Sequence, residues 1–284
     1  MDVKSLIPLL VQGSMMVVIL GIGLQSRWSD LAFAVRNPRA LVGGLVAVNL
    51  VVPAVAVILC MLLPVAPMTK VGLVIMAVSP LAPFAPGKML KTGSDTSYVT
   101  GLYATLILAS VVIVPLTAAL LGNWFDRDVS VPVGVLAKMV LVTILAPLLL
   151  GMLISGLWEG ARSWAKPLTI ASYLILLPVI LLVLYMQGGA ILGLIGDGTL
   201  AVIVLTVAAG LAAGHLLGGP EPAHRMALAQ AAATRHPGIA ALIAHQHFDD
   251  PQVMLAIILF LLASVVVAGV YSAWARKRLA PQPA

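Results

Sequence analysis

A proline-rich interruption at residues 79–91 contains the residue types that most clearly indicate a functional site. Its sequence is SPLAPFAPGKMLK, in which Pro80, Pro83 and Pro86 remove three backbone donors and Gly87 loosens the backbone further. The flanking residues are apolar, so the segment is predicted to lie in a membrane. In hydrocarbon, a broken helix is tolerated only where it is buried in protein or lines a watery cavity. The pattern therefore predicts a binding site of the kind found in transporters.

A second interruption, Ala-Thr-Arg-His-Pro-Gly at residues 233–238, places a cation inside another apolar segment. Arg235 lies about 15 Å along a helix from both Arg225 and His245, which puts it near the middle of a predicted span. A charge at that depth costs several kcal/mol unless it faces a polar cavity or a partner. Arg235 is therefore predicted to bind an anion, or to hold the two broken segments together as a fixed cation. The alternative is that the span boundary lies elsewhere and Arg235 snorkels at an interface.

The two interruptions supply the predicted substrate-binding residues. These are Pro83, Phe84, Ala85, Pro86, Gly87, Lys88, Thr234, Arg235, His236, Pro237 and Gly238. His236 can titrate and couple transport to protons, or it can be a neutral imidazole hydrogen-bonded to freed carbonyls. Lys88 and Phe84 face either the substrate or the lipid. Candidate ligands for a cation are the polar residues of other predicted spans, Asn49, Thr100 and Gln230, although such residues more often join helices.

No carboxylate is predicted at membrane depth. The acidic residues all lie at or beyond span ends: Asp2, Asp30, Asp95, Asp126, Asp128, Glu159, Asp197, Glu221, Asp249 and Asp250. The interior therefore offers no carboxylate to bind sodium or relay a proton. A loop with two histidines and two aspartates at residues 245–250 resembles a metal site, but it has no further paired ligand, so no metal site is predicted. An enzyme is not predicted, because the sequence places no carboxylate pair and no Ser-His arrangement at membrane depth.

Composition and the length of the apolar runs predict an all-α polytopic membrane protein. Of 284 residues, 61% are hydrophobic and 9% are charged, and the mean hydropathy is +1.11, whereas soluble domains carry about 25% charged residues. Runs of about 20 apolar residues predict nine spans. They lie near residues 5–25, 38–63, 70–92, 96–121, 131–157, 168–187, 197–218, 226–246 and 252–275. The third span breaks at 80–87 and the eighth, entering from the opposite side, at 235–238, which predicts an inverted repeat.

The distribution of positive charge predicts the orientation and the partners. The net charge of +6 comes from Lys and Arg scattered between apolar runs, which indicates contact with lipid headgroups rather than nucleic acid. One side holds Arg27, Arg36, Arg39, Lys88, Lys91, Arg162, Lys166, Arg225, Arg276, Lys277 and Arg278. The other side holds Lys4, Lys70 and Arg127, with Lys138 slightly inside a span. The positive-inside rule predicts a plasma (inner) membrane protein with its N-terminus outside and its C-terminus in the cytoplasm.

Several short motifs, found in order along nearly the whole chain, resemble one transporter family. They are Val17, Gly21, Leu24 and Asp30, NPRAL at 37–41, Pro53, Pro80, LKTGSD at 90–95, ALAQ at 227–230 and PGIAAL at 237–242. Together they resemble the bile acid:sodium symporter family in its nine-span form. The resemblance implies one transporter domain over residues 1–284. It also implies a core of spans 2, 3, 4, 7, 8 and 9, in which the discontinuous spans 3 and 8 cross, and a panel of spans 1, 5 and 6.

The sequence departs from that family where sodium ligands are expected. Residues 80–86 replace the family's Pro-Gly-Gly-Thr-Ala-Ser-Asn, and residues 231–238 replace Glu-Val-Gly-Met-Gln-Asn-Ser-Gly. Hydroxyl ligands expected in the next span fall at Val99 and Tyr103, and a one-residue slip would put the uncharged Gln230 at the glutamate position. We therefore expect a site that favours an anion and needs no sodium, with Arg235 and Lys88 supplying fixed positive charge.

The sequence predicts a secondary active transporter that moves a small organic anion by alternating access where spans 3 and 8 cross. Its partners are the lipid bilayer and the anion, and no cofactor is expected unless sodium acts as the coupling ion. Two alternatives stay open. One is an arsenite-type metalloid exporter, which is disfavoured because Cys60 is the single thiol and lies outside the interruptions. The other is a membrane receptor on the same fold that binds a ligand without transporting it.

Overall fold

The computed structural model describes residues 3–124, 133–196 and 198–279, and these ranges form helices joined by short connections. No β-strand occurs in the three ranges. The predicted loop residues Asp126, Arg127, Asp128 and Asp197, together with Asp2 at the N-terminus, lie outside the described residues. The all-helical prediction is therefore confirmed for the part of the chain that the structure describes.

The helices follow the predicted spans closely. In chain order they are α1 (Val3–Gln25), α2 (Trp28–Leu31), α3 (Phe33–Arg36), α4 (Pro38–Leu45), α5 (Val52–Leu62), α6 (Pro67–Val78), α7 (Ala85–Leu90), α8 (Thr96–Trp124), α9 (Val133–Val140), α10 (Ala146–Leu157), α11 (Ala165–Gly193), α12 (Thr199–Leu217), α13 (Pro222–Ala232), α14 (Pro237–His247) and α15 (Pro251–Leu279). A 3₁₀ turn, Glu159–Trp164, connects α10 to α11.

Within the described ranges, six continuous helical stretches are long and apolar enough to cross a membrane. They are Pro38–Leu62, Thr96–Leu120, Val133–Leu157, Glu159–Leu182, Thr199–Leu217 and Pro251–Ala275. Two shorter apolar helices, Leu9–Gln25 and Pro67–Val78, accompany them. These helices make the chain a multi-pass membrane protein, and the finer prediction of nine spans in an inverted repeat stays a prediction.

The first predicted interruption is non-helical over residues 79–84, between α6 and α7. The predicted break at 80–87 is therefore wrong at its C-terminal end, because Pro86 and Gly87 lie inside α7. Proline is tolerated there because the first N–H groups of a helix have no intrahelical acceptor. The last proline of the motif thus belongs to the start of the next helix and not to the break.

The second interruption covers residues 233–236, between α13 and α14. The predicted break at 235–238 is shifted for the same reason, since Pro237 is the first residue of α14. Proline at this position has its dihedral angle φ already set for a helix and loses no hydrogen bond. Arg235 and His236 therefore lie in the extended backbone itself, whereas Gly238 is helical.

Two of the long helices contain a π-helical turn that ends two residues before a proline. Val46–Val51 joins α4 to α5 before Pro53, and Leu141–Leu145 joins α9 to α10 before Pro147. A proline inside a helix lacks an N–H, and its ring clashes with the carbonyl four residues earlier. A wider turn relieves this clash and lets the helix continue.

α12 packs closely on α13 because two glycines on α12 remove the side chains between them. Gly210 and Gly214 are four residues apart and so lie on one face of α12. A Cβ added at Gly214 would lie 2.5 Å from the Cα of Ala229 on α13. Small residues permit this close approach of helices in membranes. The contact positions α13, whose C-terminal end leads directly into the second break.

We predict that Gly214→Ala lowers the Tm of the detergent-solubilised protein, because overpacking costs about 1–3 kcal/mol. Gly188→Ala in α11 is the matched control, since no atom lies within 4 Å of its added Cβ. That control should be neutral or stabilising, because alanine is favoured over glycine inside a helix by about 0.5–1 kcal/mol. Equal Tm values for the two variants would contradict the close packing of α12 on α13.

Candidate functional site at the crossing of the broken helices

The two breaks contact each other. Leu81 and Arg235 form an antiparallel bridge, and the N–H of His236 donates to the carbonyl of Pro80 at 2.8 Å. α6 contacts α14, and α7 contacts α13. The two broken helices therefore cross, with residues 79–84 and 233–236 at the crossing. Backbone groups freed by one break pair with those of the other, as non-helical backbone within a membrane requires.

Arg235 joins the crossing to the helix pair α4–α5. Its Nη2 donates to the carbonyl of Val48 at 2.6 Å, and its Nη1 donates to the carbonyl of Ser79 at 3.2 Å. In a π-helical turn, a carbonyl pairs with the N–H five residues later, and the residue five after Val48 is Pro53, which has no N–H. The carbonyl of Val48 is therefore left free to accept from the guanidinium. The planar guanidinium of Arg235 thus donates hydrogen bonds to two backbone carbonyls at once.

The positive charge of Arg235 has no anionic partner in the described part of the chain. The residue is 2% exposed, so it is buried at the crossing and does not lie at an interface. No described Asp or Glu forms an ion pair with it, and its Nε has no hydrogen-bond partner among the described groups. The two carbonyls supply partial charge but no full negative charge. Arg235 is thus a buried fixed cation with donor capacity left over.

His236 caps the N-terminus of α14. Its Nδ1 accepts the N–H of Ile239 at 3.2 Å, so the ring proton lies on Nε2 and the imidazole is neutral. Nε2 is buried and finds no partner among the described residues. In this conformation His236 therefore acts as a neutral capping residue. It retains one donor for a ligand.

A cavity of about 240 Å³ lies beside the crossing, between α7, α13 and α15. Its lining residues are Lys88, Lys91, Thr92, Met226, Gln230, Val265, Ala268, Gly269, Tyr271 and Ser272. The structure thus brings two predicted site residues, Lys88 and Gln230, to one cavity, although the sequence assigned them to an anion and to a cation respectively. Lys88 lies above the ring of Phe84 at 5.0 Å from its centroid, a distance at which an ammonium is attracted to the ring.

A comparison with protein families identifies the family of the chain. The sequence profile of the family described as the Sodium Bile acid symporter family matches residues 14–194. The chain belongs to this family. The matched region includes the first break, whereas the second break and the helices from α12 onward lie beyond it. No curated protein matches the chain. As a member of the sodium bile acid symporter family with several apolar helices, the chain is a multi-pass membrane protein of a transport family.

The residues at the crossing do not fit a sodium ion. Oxygen ligands and nearby negative charge hold hard cations in proteins. In this member of the sodium bile acid symporter family, the carbonyl oxygens of Ser79 and Val48 already accept from Arg235. A guanidinium at those oxygens would repel sodium. The described residues of the crossing include no carboxylate to offset that repulsion.

The remaining predicted residues are dispersed. Pro83 and Ala85 are buried near the crossing, and the hydroxyl of Thr234 donates to the carbonyl of Gln230 at 2.6 Å. Asn49 follows Val48 in the π-helical turn, and its Nδ2 has no partner among the described groups. The hydroxyl of Thr100 pairs with Ser26 at 2.8 Å, so it links α8 to the end of α1 instead of serving the site.

Sequence reasoning missed the acceptors and the far wall of the cavity. Val48 and Ser79 contribute backbone carbonyls. Every residue has such a carbonyl, so the residue type does not show which ones accept from Arg235. A proline five residues after Val48 is the one signal that could have indicated a free carbonyl. Tyr271 and Ser272 lie on α15, distant in sequence from both breaks. They line the cavity because α15 packs beside α7 and α13, and no sequence motif indicates this.

The two broken segments also meet away from the crossing, where the loop after α7 reaches the start of α13. The His224 ring stacks on Tyr98 with centroids 3.8 Å apart. Its Nε2 lies 2.9 Å from a carboxylate oxygen of Asp95, and its Nδ1 lies 3.2 Å from one of Glu221. Partial burial raises the pKa of Asp95, but the backbone N–H of Tyr98 and the His224 ring together hold that pKa below its ordinary value. Asp95 is thus ionised at neutral pH and available to pair with His224.

We predict that Arg235→Ala lowers the Tm in detergent, because the carbonyls of Val48 and Ser79 lose donors whose charged hydrogen bonds are each worth about 1.5–3 kcal/mol. Arg235→Lys should recover only part of the loss, since one ammonium lacks the planar fork that reaches both carbonyls. Arg162→Ala is the control, because Arg162 is exposed. The same Tm for Arg235→Ala and Arg162→Ala would show that Arg235 does not brace the crossing.

Proposed function

We propose that this chain is a secondary active transporter that moves a small organic anion across the plasma membrane by alternating access at the crossing. The buried charge of Arg235, which has no carboxylate partner among the described residues, carries the proposal. An unpaired charge in a low-dielectric interior is costly, and an arriving anion offsets part of that cost. The left-over donors at Nε of Arg235 and Nε2 of His236 provide hydrogen bonds for it.

The proposed architecture has nine spans in an inverted repeat. α6 with α7 forms the third span, and α13 with α14 forms the eighth, while α1, α9–α10 and α11 form the panel. The contacts of α6 with α14 and of α7 with α13, and the hydrogen bond from His236 to Pro80, support this arrangement. The distribution of Lys and Arg supports an outside N-terminus and a cytoplasmic C-terminus. We expect no enzymatic activity and no resident cofactor.

Arg235 replaces sodium in this proposal. A mobile cation can enter and leave during the transport cycle and so couple its own gradient to the substrate. A guanidinium attached to the backbone cannot leave, and it therefore stabilises the crossing in every state of the cycle. Transport then follows the anion gradient, or it is coupled to protons through a group such as His236. In either case the sodium gradient does no work.

We predict that replacing sodium chloride by choline chloride at equal ionic strength leaves both the Tm and the anion counterflow rate unchanged. A ligand present at about 100 times its Kd stabilises the folded state by about 2.7 kcal/mol, so sodium binding would raise the Tm measurably. Counterflow is measured in proteoliposomes with labelled benzoate, phenyl phosphate and cholate as probes. Strong stimulation by sodium would overturn the proposed replacement of sodium by Arg235.

We predict that Arg235→Ala abolishes counterflow of these anions while the variant still elutes as a folded protein in detergent. Arg162→Ala should retain the wild-type counterflow rate. A receptor would behave differently, because its ligand would shift the Tm of the wild type without any exchange across the membrane. Ligand binding without counterflow would therefore favour a receptor over a transporter. A wild-type counterflow rate in Arg235→Ala would show that Arg235 does not take part in anion binding.

A further inference from the structure

The cavity between α7, α13 and α15 presents two cations on one wall. Lys88 and Lys91 are three residues apart at the end of α7, so their side chains leave the same face of the helix. Within the described ranges, neither ammonium forms an ion pair with a carboxylate. The described part of the lining contains no acidic residue. Two like charges at this spacing repel each other, and a ligand carrying two negative charges relieves that repulsion better than one carrying a single charge.

The other polar groups of the cavity are already hydrogen-bonded to the protein. The hydroxyl of Thr92 donates to the carbonyl of Met89 at 2.6 Å, and that of Ser272 donates to Ala268 at 2.9 Å. The hydroxyl of Tyr271 pairs with Nδ1 of His215 at 2.7 Å.

The amide Nε2 of Gln230 donates to the hydroxyl of Ser272 at 2.8 Å. The two ammonium groups therefore remain as the donors available for a ligand in the described lining, and selection by the cavity rests on charge.

The apolar part of the lining limits the size of the ligand. Met226, Val265 and Ala268 face the same space as the lysines, so a short apolar group can accompany the charged one. At about 240 Å³, the cavity lies below the range of about 300–1,000 Å³ that is usual for drug-sized ligands. A compact ligand fits this volume better than a large rigid one.

We infer that this cavity selects a small organic dianion of the phosphate-monoester type over a monocarboxylate of the same size. The inference rests on the proposed function, because it names the class of anion that the proposed transporter takes. It adds a binding cavity at Lys88 and Lys91 to the crossing that contains Arg235. The charged group lies between the two ammonium groups, and the apolar group lies against Met226, Val265 and Ala268. A phosphate monoester can come from a soluble metabolite or from a lipid whose headgroup is a phosphate monoester.

The test compares two probes that share one aromatic ring, phenyl phosphate and benzoate, by isothermal titration of the purified protein at pH 7. Phenyl phosphate carries close to two charges at this pH because the second pKa of a phosphate monoester is about 6. We expect it to bind about tenfold more tightly than benzoate, a difference of about 1.4 kcal/mol. Lys91→Gln should weaken phenyl phosphate by about tenfold and benzoate far less, because the lost pairing concerns the second charge.

Lys166→Gln is the matched control, since Lys166 is an exposed lysine at the start of α11, and it should leave both affinities unchanged. Equal or tighter binding of benzoate by the wild type would overturn the dianion selectivity and leave the proposed anion transport intact. Failure of both probes to bind would count against the anion site of the proposed function itself. A third arm titrates phenyl phosphate into protein held in nanodiscs with phosphatidic acid: competition assigns the dianion to a lipid headgroup, and no competition assigns it to a soluble ligand.

Discussion

Arg235 and the two backbone carbonyls that it serves set the central constraint on this structure. Two helices are broken where they cross, and the backbone carbonyls freed by the breaks are buried in the protein. The guanidinium satisfies one of them at Ser79 and another at Val48, where a proline-induced π-helical turn has removed the normal donor. A planar group with several donors suits this task because its geometry matches two acceptors at once.

The same arrangement supports the proposal that an anion compensates the charge of Arg235. Carbonyl dipoles solvate a cation but do not cancel it, and the described residues bring no carboxylate to Arg235. In a low-dielectric interior, a net charge strongly favours any state in which an anion is near. A structural brace and an attraction for anions are therefore two consequences of one buried arginine.

The cavity adds further positive charge to that of Arg235, at the C-terminal end of α7. Lys88 and Lys91 add positive charge on a short helix whose position depends on α13, and α13 in turn is held close to α12 by small residues. The packing of glycine-lined helices thus controls where the cations of the site lie. A change that separates α12 from α13 would move the cavity as well as destabilise the fold.

The sequence by itself determined the helical class, the approximate bounds of the helices and the approximate location of both breaks, because apolar length and proline content act locally. It also favoured a buried Arg235 over one at an interface, since Arg235 lies far from both ends of an apolar run. The sequence analysis misplaced the ends of both breaks, because a proline can lie in the first turn of a helix as well as interrupt one. Only the tertiary structure decided which groups meet Arg235 and which residues of α15 complete the cavity. Backbone acceptors and long-range packing depend on how helices cross, and residue identity alone does not encode that geometry.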